Sequence, residues 1–380
     1  MPDNPANHGE GAFYVWTAAE IAAALGTEAA PLFSFRYGIE PHGNVSAASD
    51  PHGEFQGKNI LFQRHSLEDA ARKFGHSPKT ARAMLAAARQ SLLTLRTQRP
   101  RPHKDDKILT AWNGLALSAF ARAARIFGEP RYRQAAQNAA HFIKSALYDA
   151  SSGRLLRRYR DGDAAIDGLA DDYAFLIQGL LDLYDCDFET AWLDWALALQ
   201  KTMDARFADE NGGGYYGAHA EAADLLVRDK EWRDGAEPSP NSAAAGNLLR
   251  LARLTGQSVF TERVERLFQA FGAHMRAAPQ AMPLMLAAVG LHLEPPRHIV
   301  VAGQPDAADT LAMLRAAQAG FAPNRTVLFM PGGDAAGALA RHAPWLRDCT
   351  MRNGQATAYA CDNFVCRLPV TDPNALADRP

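Results

Sequence analysis

The chain has 380 residues, 47% of them hydrophobic, with 40 basic and 42 acidic side chains and a formal net charge of −2. That length and apolar content suffice to bury a large core, so a soluble globular protein is expected. The charge balance, with no basic stripe interleaved with aromatics, argues against a dedicated nucleic-acid binder. The polar first ten residues hold no apolar signal core, and the longest apolar stretch, 281–291, is too short to span a bilayer, so no membrane partner is expected. Four cysteines, three of them near the C-terminus, fit a reducing compartment better than a disulfide scaffold, and the cytoplasm is the default location.

In chain order, residues 10–17 read as a short aromatic strand, after which Thr17 caps a helix and Glu20, three residues on, completes a capping box. Residues 37–60 have loop composition; His42, His52 and His65 lie in or near that loop, match no metal template and read as solvated. Residues 66–95 read as one or two amphipathic helices.

From Thr110 onward a pattern repeats. A helix over 112–127, a turn at Gly128-Glu129-Pro130, a second helix over 132–147 and a strand at 153–156 make the first round. The second has helices over 169–184 and 189–207, then Gly212-Gly213-Gly214-Tyr215-Tyr216. A third starts at Asn241, turns at Thr255-Gly256-Gln257 and continues over 260–274. The starts lie roughly 60 and 70 residues apart, which suits paired helices with a hairpin excursion. Closing such pairs into a ring buries both faces of each inner helix without exposed ends. The inner helices then run the same way, so the loops at 105–113, 167–173 and 234–241 gather at one end.

The expectation is an all-α-dominated (α/α)6 six-hairpin toroid over 1–296 with β-hairpin excursions. A small βαβ insert follows over 297–335, from its strand–helix–strand order, and then a segment over 336–380 packing back on the toroid. The turn Gly303-Gln304-Pro305 lacks the spaced glycines of a dinucleotide site, so no cofactor is expected.

The chemistry-bearing residues concentrate in four runs: Arg101-Pro-His-Lys-Asp-Asp-Lys-Ile-Leu-Thr-Ala-Trp-Asn-Gly114, Asp172-Tyr-Ala-Phe-Leu-Ile-Gln-Gly-Leu180, Asp234-Gly-Ala-Glu-Pro-Ser-Pro-Asn-Ser242 and Ala360-Cys-Asp-Asn-Phe-Val-Cys366. These runs resemble the spermatogenesis-associated protein 20 family of thioredoxin-domain-containing proteins, over essentially the whole chain. The resemblance implies a six-hairpin α/α toroid similar to N-acylglucosamine 2-epimerases and several glycosidases. It also implies an N-terminal thioredoxin-like domain that this sequence lacks, in whose place a protein partner could bind. No Cys-x-x-Cys occurs anywhere.

Carboxyl pairs support acid/base work on sugars. Asp106, Asp172 and Glu237 come from three successive loops expected to face one cavity. Trp112, Tyr173 and Trp232 offer flat apolar faces for sugar rings, while Asn113 and Asn241, with Asp105, could fix hydroxyls. His103 is the candidate base of the alternative, a 2-epimerase-like isomerase, although neither His141 nor His219 makes a convincing second base. The structural alternative is helix capping by these acids, and a non-catalytic ligand- or protein-binding toroid is the third reading. Cys361 and Cys366 match neither a redox nor a zinc spacing and read as buried structural thiols; no metal is expected. The expected partner is a small, sugar-like molecule.

Overall fold

A computed structural model of the chain describes residues 11–222, 225–332, 336–363 and 365–377. The chain divides into two compact units, Met1–Asp105 and Asp106–Pro380, so the single body expected over 1–296 is cut at Asp105.

In the first unit the aromatic run at the front is not a strand. Residues 11–14 form a turn closed by the Tyr14 N–H donating to the Gly11 carbonyl (2.9 Å), and only Trp16 makes a bridge, to Asn59. Gly11 holds a φ of 76°, which breaks extended backbone at the point where the alternating aromatics suggested it. Glu10 lies outside the described residues. Thr17 then caps α1 (Ala18–Tyr37): its hydroxyl accepts from the Glu20 N–H (3.1 Å), and the Glu20 carboxylate accepts from the Thr17 N–H (2.7 Å). The hydroxyls of Ser66 and Ser77 cap α2 (Leu67–Lys73) and α3 (Pro78–Arg96) by accepting from the Asp69 and Thr80 N–H groups. The three helices bury Trp16, Ile21, Leu32, Phe33, Ala81, Leu85 and Leu92.

The second unit begins with β1 (Ile108–Leu109), α4 (Thr110–Phe127) and α5 (Pro130–Ala146). After β2 (Tyr148–Asp149), the hairpin β3 (Arg154–Arg160) and β4 (Asp163–Asp167) forms, with β1 on the other side of β3. Helices α6 (Ala170–Asp187) and α7 (Thr190–Phe207), then α8 (Pro240–Thr255) and α9 (Ser258–Ala277), make two further antiparallel pairs, and α10 (Pro283–Leu293) follows. The burial pattern separates α6 and α8 from α5 and α9. In α5 only Ala136, Ala140 and Ile143 are buried, one stripe at helical spacing, and α9 buries Phe260, Val264, Leu267 and Phe271 likewise. By contrast α6 is buried almost without break from Asp172 to Tyr184. Inner helix α4 packs on α6, α6 on α8 and α8 on α10, while α5, α7 and α9 each pack on their own partner.

The α4–α6 contact is backbone-close because two glycines meet there. A Cβ on Gly114 would lie 2.6 Å from the Leu176 nitrogen, and one on Gly179 would lie 2.6 Å from the Gly114 carbonyl oxygen. Gly114→Ala should therefore destabilise by about 2 kcal/mol through overpacking, outweighing the helix-propensity gain of roughly 1 kcal/mol. Thermal melting checks this; an unchanged or raised Tm would show that the two helices can separate freely.

The same interface holds a buried ion cluster. Asp182 accepts from the Ser118 hydroxyl, from Arg122 Nε (2.9 Å) and from Arg250 (2.9 Å), and Arg250 also reaches Asp185 (2.8 Å). Despite the cost of burial, Arg250 and Arg122 hold the Asp182 carboxyl below its usual range.

The C-terminal part forms a four-stranded sheet in the order β6-β5-β7-β8. Strands β5 (Arg297–Gly303) and β6 (Arg325–Pro331) are parallel and joined through α11 (Ala308–Gln318). Past α12 (Ala336–His342), β7 (Thr357–Asp362) pairs antiparallel with the other edge of β5, and β8 (Val365–Cys366) completes the sheet before α13 (Asn374–Ala377). Within 336–377 it is β7 and β8 that extend the sheet. Cys361 and Cys366 are paired positions of β7 and β8 and form a disulfide, which corrects the expectation of two thiols. Cys349 is a buried thiol, and burial pushes its pKa up to about 11. Among the described residues, no helix is long and apolar enough to cross a membrane.

Candidate functional site

The N-terminal ends of α4, α6 and α8 meet, and carboxylates tie them together. Helix α4 has no capping side chain of its own. Its Ala111 N–H instead donates to Asp172 Oδ1 (2.9 Å), while Asp172 Oδ2 accepts from the Leu169 N–H (2.9 Å) and from Arg157 (2.9 Å). One buried carboxylate therefore caps its own helix and the neighbouring one. Burial, with the adjacent Asp171 second, pushes the Asp172 pKa up to about 7 against the pull of Arg157 and the two N–H donors.

A second tie crosses to the loop before α8. The indole N–H of Trp112 donates to Glu237 Oε2 at 2.9 Å, and this Trp is 60% exposed. Asp234 repeats the capping device, accepting from the Ser239 N–H (2.9 Å) and from the Leu284 N–H (2.8 Å) at the start of α10. The loop also carries Glu231, a residue the sequence did not single out. Partial burial raises its pKa, and the charges of Asp171, Asp229, Glu237 and Asp234 add to the rise. Asp171, Glu231 and Glu237 thus share one electrostatic neighbourhood around an exposed indole. Asp171 is paired with Arg157 at 2.9 Å.

The remaining candidates separate by burial. Tyr173 and Asn241 are fully buried. The Tyr173 hydroxyl accepts from the Leu155 N–H (2.9 Å), and Asn241 exchanges hydrogen bonds with the Tyr215 backbone (2.8 and 2.9 Å) and donates to the Glu231 carbonyl (2.8 Å). Both fasten helices to hairpins, and neither has a face open to a ligand, which corrects their expected role as substrate contacts. Asp172, also fully buried, is likewise closed to solvent. Asn113 donates to the Leu109 carbonyl (2.8 Å) within its own first turn. Trp232 is half-buried with its ring tilted against His274, centroids 4.6 Å apart, so one face is already covered. Asp106 is half-exposed and ion-paired with Arg160 at 2.8 Å, at the end of β3. His103 and Asp105 belong to the first unit and are exposed. Of the expected set, the second unit brings Trp112 and Glu237 into direct contact.

Two signals could have revealed the missed residues. Arg157 stands on β3, the first strand of the hairpin that leads to the Asp171-Asp172 pair, in a chain whose buried acids need a cation. Glu231 lies three residues before Asp234 in a loop already marked as functional. Neither position carries a motif.

Three antiparallel helix pairs and a single α10, with a mixed four-stranded sheet appended, define a helix-rich protein of the helical-hairpin class. No family model matches the chain. It is 40% identical over 393 residues to spermatogenesis-associated protein 20 of Homo sapiens, an alignment spanning 98% of this chain and 50% of that protein. The Mus musculus protein of the same name is 38% identical over the same shares. Homologues at 38–40% identity over nearly the whole chain thus carry the name spermatogenesis-associated protein 20, and the chain spans about half the length of these curated relatives. Among solved structures it is similar to cellobiose 2-epimerase from Spirochaeta thermophila DSM 6192, with 24% identity, a TM-score of 0.37 and 44% of each chain covered. A glycoside hydrolase of family 105 from C. acetobutylicum ATCC 824 is 13% identical, with a TM-score of 0.37, covering 54% of this chain and 60% of its own. Both likenesses are too partial to carry a function.

Proposed function

We propose that the second unit binds a sugar or glycoside where α4, α6 and α8 begin, and performs acid/base chemistry there with carboxyl groups. The observation that carries this reading is Trp112, an exposed indole fixed by Glu237 beside the raised carboxyl of Glu231. An indole held by its N–H presents a rigid apolar face of the kind that stacks on a sugar ring. Two nearby carboxyl groups divide the work of acid and base: Glu231, whose pKa is raised by partial burial and then by neighbouring acids, takes the role of proton donor, and Glu237 that of acceptor. Asp172 and Arg157 position the helix ends from below and do not touch the ligand. In the same reading the same-way inner helices form part of an (α/α)6 toroid, and the ligand lies at its mouth.

The test is turnover on a panel of aryl glycosides and reducing sugars. Glu231→Gln should lower kcat by about 10²–10⁴-fold, and Trp112→Ala should raise KM with a smaller effect on kcat. If turnover survives Glu231→Gln unchanged, the acid role is wrong. If Trp112→Ala leaves KM untouched, the site lies elsewhere.

A further inference from the structure

The appended sheet carries a second feature that the sugar reading leaves unused. Arg297 on β5 and Arg325 on β6 are direct partners in the parallel register, so two guanidinium groups sit side by side on one face of the sheet. Like charges at paired positions of adjacent strands are destabilising unless something compensates them. On the other side of β5 the partner of Arg297 is Asp362, which pairs with it at 3.3 Å and is shared with Arg367 at 2.7 Å. Among the described residues Arg325 has no carboxylate partner; its hydrogen bonds go to the carbonyls of Ala319 and Gly320 at the end of α11. Partial burial, and then the charges of Arg125 and Arg297, push its pKa down.

These groups surround a cavity of about 520 Å³. Arg297, Arg325 and Arg367 line it together with a single acid, Asp362. Apart from His298, its remaining wall is largely apolar, including Ile299, Ala316 and Leu376, and Phe321 stands at it 95% exposed. The Cys361–Cys366 disulfide fixes β8 to β7 and so holds Arg367, the residue after Cys366, at this site. The volume falls within the range of small-molecule sites, roughly 300–1,000 Å³.

We infer that this cavity binds a small carboxylate with an apolar body, its anionic group placed between Arg297 and Arg325 and its hydrocarbon on the Ile299–Leu376 wall. A carboxylate accepts two parallel N–H donors from a guanidinium, which suits a site built from arginine. The apolar wall disfavours a polyhydroxylated ligand, so this site differs in chemistry from the one at Trp112.

The test is calorimetric titration of the full chain with octanoate and, separately, with 1-octanol. Octanoate should bind at least about tenfold more tightly than octanol, and its affinity should fall as salt is raised. Arg325→Gln and Arg367→Gln should each weaken octanoate by about tenfold while leaving octanol unchanged. Equal affinities of the two probes, or octanoate binding insensitive to salt, would overturn the proposal. Should Arg325→Gln fail to fold, the wild-type probe pair and Arg367→Gln still decide. Loss of octanoate affinity on reduction of the disulfide, with the thermal transition retained, would further support the placement of Arg367.

Discussion

Asp182→Ala should cost about 2–4 kcal/mol of folding stability, because it removes the buried acid that Arg122 and Arg250 both pair with and leaves the partly buried Arg250 one carboxylate in place of two. Asp182 joins three inner helices at once: Ser118 and Arg122 from α4, its own α6, and Arg250 from α8. Arg250 keeps Asp185 at 2.8 Å, which limits the loss to one of its two carboxylates. Urea unfolding at pH 7 should show a lower midpoint with an unchanged m-value. The pH dependence has a definite sign. The folded pKa of Asp182 lies below its ordinary value of 3.8, so its contribution is complete above about pH 4 and is lost as the pH falls through the lower folded value. The gap between wild type and Asp182→Ala should therefore close in strong acid.

Asp172→Ala should be comparably damaging, by about 2–4 kcal/mol, since the Ala111 and Leu169 N–H groups lose their acceptor inside the protein and Arg157 loses one of its two acids. Its pH signature is opposite to that of Asp182. The folded pKa is pushed up to about 7, whereas an unfolded Asp titrates near 3.9, so between about pH 4 and pH 7 the folded chain holds a proton that the unfolded chain has released. Stability from this group is full below about pH 4 and declines as the pH rises through about 7. The wild-type advantage over Asp172→Ala should accordingly be larger at pH 5 than at pH 8. Paired urea titrations at those two values measure it. A gap that widens toward pH 8 would show that Arg157 and the two N–H donors dominate and keep Asp172 ionised.

The α4–α5 and α8–α9 hairpins were legible because each rests on a local signal, whereas α6 runs on through Asp187 to a left-handed Phe188 that nothing in the sequence marks. Gly128 and Gly256 are the positive-φ residues that end α4 and α8. In the structure α5 and α9 each bury a single apolar stripe at helical spacing. The gathering of the loops before α4, α6 and α8 followed from their shared direction, and the Ala111–Asp172 and Trp112–Glu237 hydrogen bonds realise it. What each polar residue does at that end was less legible. Asp172, Tyr173 and Asn241 sit at helix starts, where a polar group can face a ligand or fasten a neighbouring backbone, and only the identity of the neighbour decides. For Asp172 that neighbour is the start of α4, 61 residues away in sequence. Glu231 was invisible because its raised pKa comes first from burial and then from Asp171 of another segment, beside the acids of its own loop. The Cys361–Cys366 pair escaped for a related reason: a spacing of five fits no redox motif, but a tight hairpin makes those positions cross-strand partners.

The most direct test of the account is a thermal-shift screen of the full chain against neutral mono- and oligosaccharides, run in parallel on Trp112→Ala and Glu237→Gln. At least one sugar should raise the wild-type Tm by several degrees at saturating concentration, as binding to the folded state alone requires. Both variants should lose that shift while keeping a cooperative transition. A wild-type shift that persists in Trp112→Ala, or no shift with any sugar, would contradict a carbohydrate site at the start of α4.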